Sequence, residues 1–177
     1  MDALRKDEAG FGIIELVIAM ILLSVGILAL ASAFTSGSVA LRRASRTATA
    51  TVLADAQLER YRAIRNCAIY LDPTTVPAAG SSYWTGFAGA LVTTRGASCP
   101  DVVPPEAVTA RRDLLGGQTP DGHRYRVDTY ISEGAPTSTP LPLSQSVKTV
   151  TVVVRDWNYL TRSLVRQTST FHIATGS

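Results

Sequence analysis

Residues 10–30 read GFGIIELVIAMILLSVGILAL, and the character of this stretch decides how the rest of the chain must be arranged. From residue 11 to residue 34, 24 residues carry a single ionisable group, Glu15. At ~1.5 Å rise per residue such a run spans roughly 36 Å as a helix, more than the ~30 Å hydrocarbon core of a bilayer. A membrane stage follows from length and composition together. The preceding residues, MDALRKDEAG, are polar and sum to −1, from Arg5 and Lys6 against Asp2, Asp7 and Glu8; with +3 over the whole chain, the remainder carries +4. A surface field this weak permits anionic partners without selecting one. Hydrophobic residues make up 46% and charged residues 18%, an apolar balance whose excess sits mostly in this one run.

Glu15 stands out against that background. A carboxylate within a membrane span costs about 2.5–3.5 kcal/mol near the centre on insertion scales, so it is a functional candidate by default. It lies four residues past Phe11. A cut between Gly10 and Phe11 would give Phe11 a free α-amino group near the membrane surface, and Glu15 would be an anion in need of a cation. The amine of another copy or another subunit is the natural partner, because pairing relieves a penalty that each charge suffers alone.

Beyond the run, Arg42, Arg43 and Arg46 open a stretch without Pro or Gly that reaches residue 71 and is rich in Ala, Leu, Arg, Gln and Glu. Ala44, Ala48, Val52 and Ala56 recur every four residues, with Leu53, Ala63 and Ile64 flanking them, which predicts an amphipathic helix resting on something. Gly37 alone costs about 1 kcal/mol without ending a helix. The expectation is one nearly continuous helix over residues 11–67, roughly 85 Å long. Its parts are a membrane-spanning half over 11–34 and an amphipathic continuation over 35–67. Asp72-Pro73 stops it, and residues 68–122 form a Pro- and Gly-rich connecting region. Within that region Tyr83, Trp84 and Phe87 indicate packing, and a helical turn is expected near residues 105–115. Three strands follow over residues 123–177, at 123–132, 147–157 and 164–175. The first alternates Tyr125, Val127, Thr129 and Ile131 with Arg124, Arg126 and Asp128, and the second places Val150, Val152 and Val154 on one face. Residues 135–144 are a Pro-rich connection and 158–162 a hairpin turn. The fold class is α+β, a long N-terminal helix on a small antiparallel sheet.

The two cysteines, Cys67 and Cys99, share whichever compartment holds the bulk of the chain. In an oxidising one, a disulfide between them would be worth about 3–4 kcal/mol in the chain-entropy model; otherwise they are two buried thiols. With no His pair nearby they make a poor zinc site, and no metal or cofactor is expected.

The segment GFGIIELVIAMILLSVGILAL resembles the N-terminal signature of type IV prepilins and type II secretion pseudopilins: a short leader ending in Gly, then Phe, then an apolar helix with Glu at the fifth mature position. Those residues are Gly10, Phe11 and Glu15. With VLADAQLERYRAI at 52–64, the likeness is greatest to minor pilins of the PilV type, and the I-type minor pseudopilins are close behind. The resemblance implies a pilin fold and a leader over 1–10 removed by a prepilin peptidase. It also implies methylation of Phe11, helices stacked into a filament core, and heads facing outward. The implied partners are the peptidase, a major pilin, other minor pilins and an inner-membrane assembly platform. The implied place is a single pass of the bacterial inner membrane with the head outside, then an extracellular or periplasmic filament. Gly12 stands where Thr is commoner, and the leader is acidic where such leaders are usually basic. Arg42, Arg43 and Arg46 oppose the implied orientation on positive-inside counting, and the cleavage signature takes precedence over that count. A link from Cys67 to Cys99 would tie the helix end to the connecting region, unlike the C-terminal loop of major pilins, which favours a minor subunit.

Rival readings are weaker. An ordinary signal peptide cut after Ala33 would leave a secreted domain, but the apolar run is too long for one and contains Glu15. A plain anchor leaves Glu15 unexplained. No nucleophile elbow, P-loop or metalloprotease motif occurs, and His123 and His172 are isolated, so no enzyme is expected. A secondary role in nucleic-acid binding rests on Arg111, Arg112, Arg124 and Arg126 near Tyr125, residues that solvated strand faces explain equally well.

Overall fold

The computed structural model describes residues 12–96, 99, 102–134 and 147–172, and the chain divides into two compact units, Met1–Arg43 and Ala44–Ser177. Helix α1, Ile13–Arg62, contributes to both.

In the first unit α1 is exposed at every described position but the half-buried Ser38, with Ile14 at 73%, Leu22 at 67% and Leu30 at 73%. It is long and apolar enough to cross a membrane. Most of its hydroxyls bond back to carbonyls of the same helix. Ser24 donates to the Met20 carbonyl at 2.7 Å, Ser32 to Ala29 and Thr35 to Ala31, each at 2.8 Å. Such back-bonding removes the cost of carrying these groups into an apolar medium. Gly37 lies within the helix without breaking it.

In the second unit, four strands form one antiparallel sheet in chain order: β1 (Arg111–Leu114), β2 (Tyr125–Gly134), β3 (Val147–Asp156) and β4 (Ser163–Phe171). Pairing Val127 with Val154 and Ile131 with Val150 puts the β-branched residues of β2 and β3 on one face. That face is covered by α1, whose buried residues are Ala50, Ala54, Gln57, Leu58 and Tyr61. The spacing of three and four marks a single helical stripe. The opposite face carries Arg126, Asp128, Tyr130, Val153 and Arg155. It is covered by the segment around the 3-10 turn Ser82–Trp84 and by Phe87, whose ring stacks on Tyr130 at 4.6 Å.

Four expectations need correction. The stripe Ala44, Ala48, Val52 and Ala56 is exposed, Val52 at 63%, and the buried stripe lies on the other side of the helix. Alanine is so frequent here that two stripes fit the same period, and the larger residues Leu58 and Tyr61 decide which one packs. The helix ends at Arg62 rather than near Cys67. Tertiary bonds capture the backbone there: Lys148 Nζ donates to the carbonyls of Asn66 and Ile69, both at 2.8 Å, and Asn66 Nδ2 donates to the Phe171 carbonyl at 2.8 Å. The helical turn expected over 105–115 is the short helix α2, Pro105–Val108, followed by the extra strand β1. Finally, the polar face of β2 is not solvated, since Arg126 is 9% and Asp128 0% exposed. The Pro-rich connection at 135–144 and residues 173–175 of the third expected strand lie outside the described residues.

Candidate assembly site

Glu15 sits in the first turn of α1, exposed, with its amide donating to the Gly12 carbonyl at 3.0 Å. Around it the helix presents Ile13, Ile14, Leu16 and Val17, all exposed. A carboxylate near a helix N-terminus is favoured by the helix dipole, but among the described residues the side chains beside it offer no counter-charge. The arrangement is a hydrophobic rod with one anion near its start, whose chemistry is complementary to a cation carried by another molecule. Gly10 and Phe11 lie outside the described residues.

Residues 5–31 match the prokaryotic N-terminal methylation motif. No curated protein and no solved structure matches the chain. The match takes in residues 5–10 and nearly all of the apolar run over 11–34, and it is a type IV pilin-like prepilin signal. It implies processing by a prepilin peptidase and assembly with other pilins, and with the apolar helix it points to membrane anchoring and a structural subunit rather than an enzyme.

In the second unit Cys67 and Cys99 form a disulfide, with Cα atoms 5.7 Å apart. The Gly96 amide donates to the Cys67 carbonyl at 2.9 Å, so the chain is held on both sides of the link.

The four arginines considered for nucleic acid do not make one patch. Arg111 and Arg126 lie on the face opposite α1, where Arg111 Nε meets Asp128 Oδ1 at 3.0 Å and Arg126 Nε meets Asp113 Oδ1 at 2.7 Å. Arg112 pairs with Val127 and therefore points to the α1 side. Arg124 is exposed and lies over the Trp157 ring at 4.1 Å. Alternation along β1 separates neighbours by the thickness of the sheet.

Sequence reasoning missed the buried ionic network on the loop-covered face. Asp128 accepts from Arg111 and, at 3.0 Å, from Arg155, which also donates to the Thr85 carbonyl at 2.9 Å and the Leu160 carbonyl at 3.1 Å. The only signal was an Asp and an Arg in two strands flanked by aromatics in a loop. His123, read as isolated, accepts from Arg46 Nε at 3.1 Å, and Arg46 also pairs with Asp156 at 3.4 Å. These bonds fix the start of the packed part of α1 to the sheet. Among the described residues no group of His, Cys, Asp and Glu is placed to hold a metal.

Proposed function

We propose that this chain is a minor subunit of a type IV pilus or a related type II secretion filament. Cleavage between Gly10 and Phe11 primes it for assembly. The leader is 1–10 and the filament-core helix 11–34; the helix continuation over 35–62, the connection over 63–122 with strand β1, and the region over 123–177 with the other three strands make up the head. The observation that carries this reading is the methylation motif over residues 5–31, overlapping an exposed apolar stretch of helix, 13–34, whose one charge is Glu15. Phe11 supplies an amine, Glu15 of a neighbour supplies the carboxylate, and residues 13–34 supply the helix–helix surface. The disulfide between the helix end and the connecting region supports a minor subunit over a major one. Before assembly the chain spans the bacterial inner membrane once with its head outside. Its partners are the prepilin peptidase, a major pilin, other minor pilins and the inner-membrane assembly platform.

The test is Glu15→Ala. Folding and cleavage should be unchanged, while incorporation into sheared or purified filaments is lost. Normal incorporation of the variant would remove the pairing from the account.

A further inference from the structure

A cleft of about 230 Å³ opens between α1 and the β1 edge of the sheet. Its apolar wall is Leu53, Leu114 and Val127, and its polar wall includes Arg60 and Arg112. Register explains the composition: Arg112 pairs with Val127 and Leu114 with Tyr125, so both β1 side chains share the face that α1 covers. Arg60 comes from the last turn of α1, its Nη1 donating to Gln57 Oε1 at 2.7 Å. One carboxylate serves both guanidiniums. Glu106 of α2 lies 2.8 Å from Arg60 and 3.7 Å from Arg112. The Glu106 side chain is 56% exposed, against 32% for Arg60 and 25% for Arg112. Burial, then the neighbouring Arg60 charge, lowers the Arg112 pKa, with Glu106 acting against both. Two cations facing one solvent-exposed anion leave a positive charge in excess beside a low-dielectric wall, where it acts more strongly than on an open surface. The volume is too small for a cofactor, which needs roughly 300 Å³ or more, and suits one side chain of a peptide.

We propose that this cleft docks an acidic peptide segment of a partner protein, seating one apolar side chain against Leu53, Leu114 and Val127 and one carboxylate against Arg60 and Arg112. Glu106 is then the resident carboxylate that the incoming one displaces. The proposal is independent of how the N-terminus is processed and goes beyond the filament reading by naming the chemistry of a contact.

The experiment titrates the full chain, in non-ionic detergent micelles, with acetyl-Leu-Glu-Glu-amide and with its uncharged counterpart acetyl-Leu-Gln-Gln-amide, read by amide chemical shifts. The acidic peptide should bind saturably and the uncharged one at least about tenfold more weakly, the worth of a charge-assisted hydrogen bond. Arg112→Gln and, as a second variant, Arg60→Gln should each weaken the acidic peptide about tenfold while the thermal midpoint stays close to that of the parent. Glu106→Gln should tighten binding about threefold by removing the competitor, an effect within reach of a partly exposed ion pair. Equal binding of the two peptides, absence of saturable binding, indifference to both arginine changes, or weaker binding by Glu106→Gln would each overturn the proposal. None of these results bears on cleavage at Gly10.

Discussion

Under α1, the sheet presents Val150, Val152, Val154 and Ile131 to a core that includes Ala50, Ala54, Leu58 and Tyr61. On its other side it presents Asp128, held between Arg111 and Arg155, with Tyr130 beneath Tyr83 and Phe87. Over the middle of β2 and β3 both faces are closed to water, yet one is closed by hydrocarbon and the other by matched charges and hydroxyls. The apolar face gains about 25 cal/mol for each Å² removed from water, whatever covers it. The ionic face gains only if each partner stays in place, because an unpaired buried charge costs far more than the pair returns. Alternation of apolar and polar residues therefore tells which residues share a face, and does not tell which face meets solvent.

The largest effect should come from alkaline pH, which probes both faces at once. Burial raises the pKa of Tyr61 and Tyr125 on the α1 side and of Tyr83 and Tyr130 on the loop side above the ordinary 10.0. The unfolded chain then releases those protons first, so their contribution is complete below about pH 10 and is lost as pH rises beyond it. Lys148, whose pKa burial lowers from 10.5, acts with the opposite sign, gaining stability as pH approaches that value, but it is one group against four. The urea midpoint of the second unit, followed in the full chain in micelles, should be flat between about pH 7 and 9 and fall steadily above about pH 10. Replacing Tyr83 and Tyr130 by Phe, or Tyr61 and Tyr125 by Phe, should each flatten part of that fall. If neither pair does, the tyrosines are not sealed as described.

Next in size is Asp128→Ala. It leaves Arg155 buried and Arg111 half-buried without their counter-charge and should cost about 3–5 kcal/mol in urea unfolding. A loss below about 1 kcal/mol would mean that water reaches the loop-covered face. The smallest contrast lies along α1 itself. Leu58→Ala, at a position 5% exposed, should cost about 2–3 kcal/mol. Leu23→Ala, at a position 65% exposed in the first unit, should leave the urea midpoint of the second unit within about 0.5 kcal/mol of the parent.

The long helix, the strands β2, β3 and β4 and the N-terminal motif were legible because each depends on local pattern: an uninterrupted apolar run, period-two alternation, and a signature read at fixed spacing. What failed depends on contacts distant in sequence. No local sequence signal at Arg62 stops a helix; Lys148, donating to the Asn66 carbonyl, and Phe171, accepting from the Asn66 side chain, do so from the sheet. Strand β1 is four residues, too short for alternation to declare itself, and it exists because Arg111 through Leu114 pair with Asp128 through Tyr125. The packed stripe of α1 was misplaced because alanine carries little phase information. Of the candidate site, Glu15 could be singled out from composition alone, since a carboxylate in an apolar run is conspicuous. The cleft between Arg60 and Arg112 could not, because those residues meet only when β1 forms.

The role proposed for Glu15 depends on where the mature chain begins. Intact-mass measurement and N-terminal sequencing should be made on protein from cells that also express a prepilin peptidase. The expected product starts at Phe11 and carries one extra methyl group. A chain starting at Phe34, or one retaining Met1, would contradict it and remove the role given to Glu15.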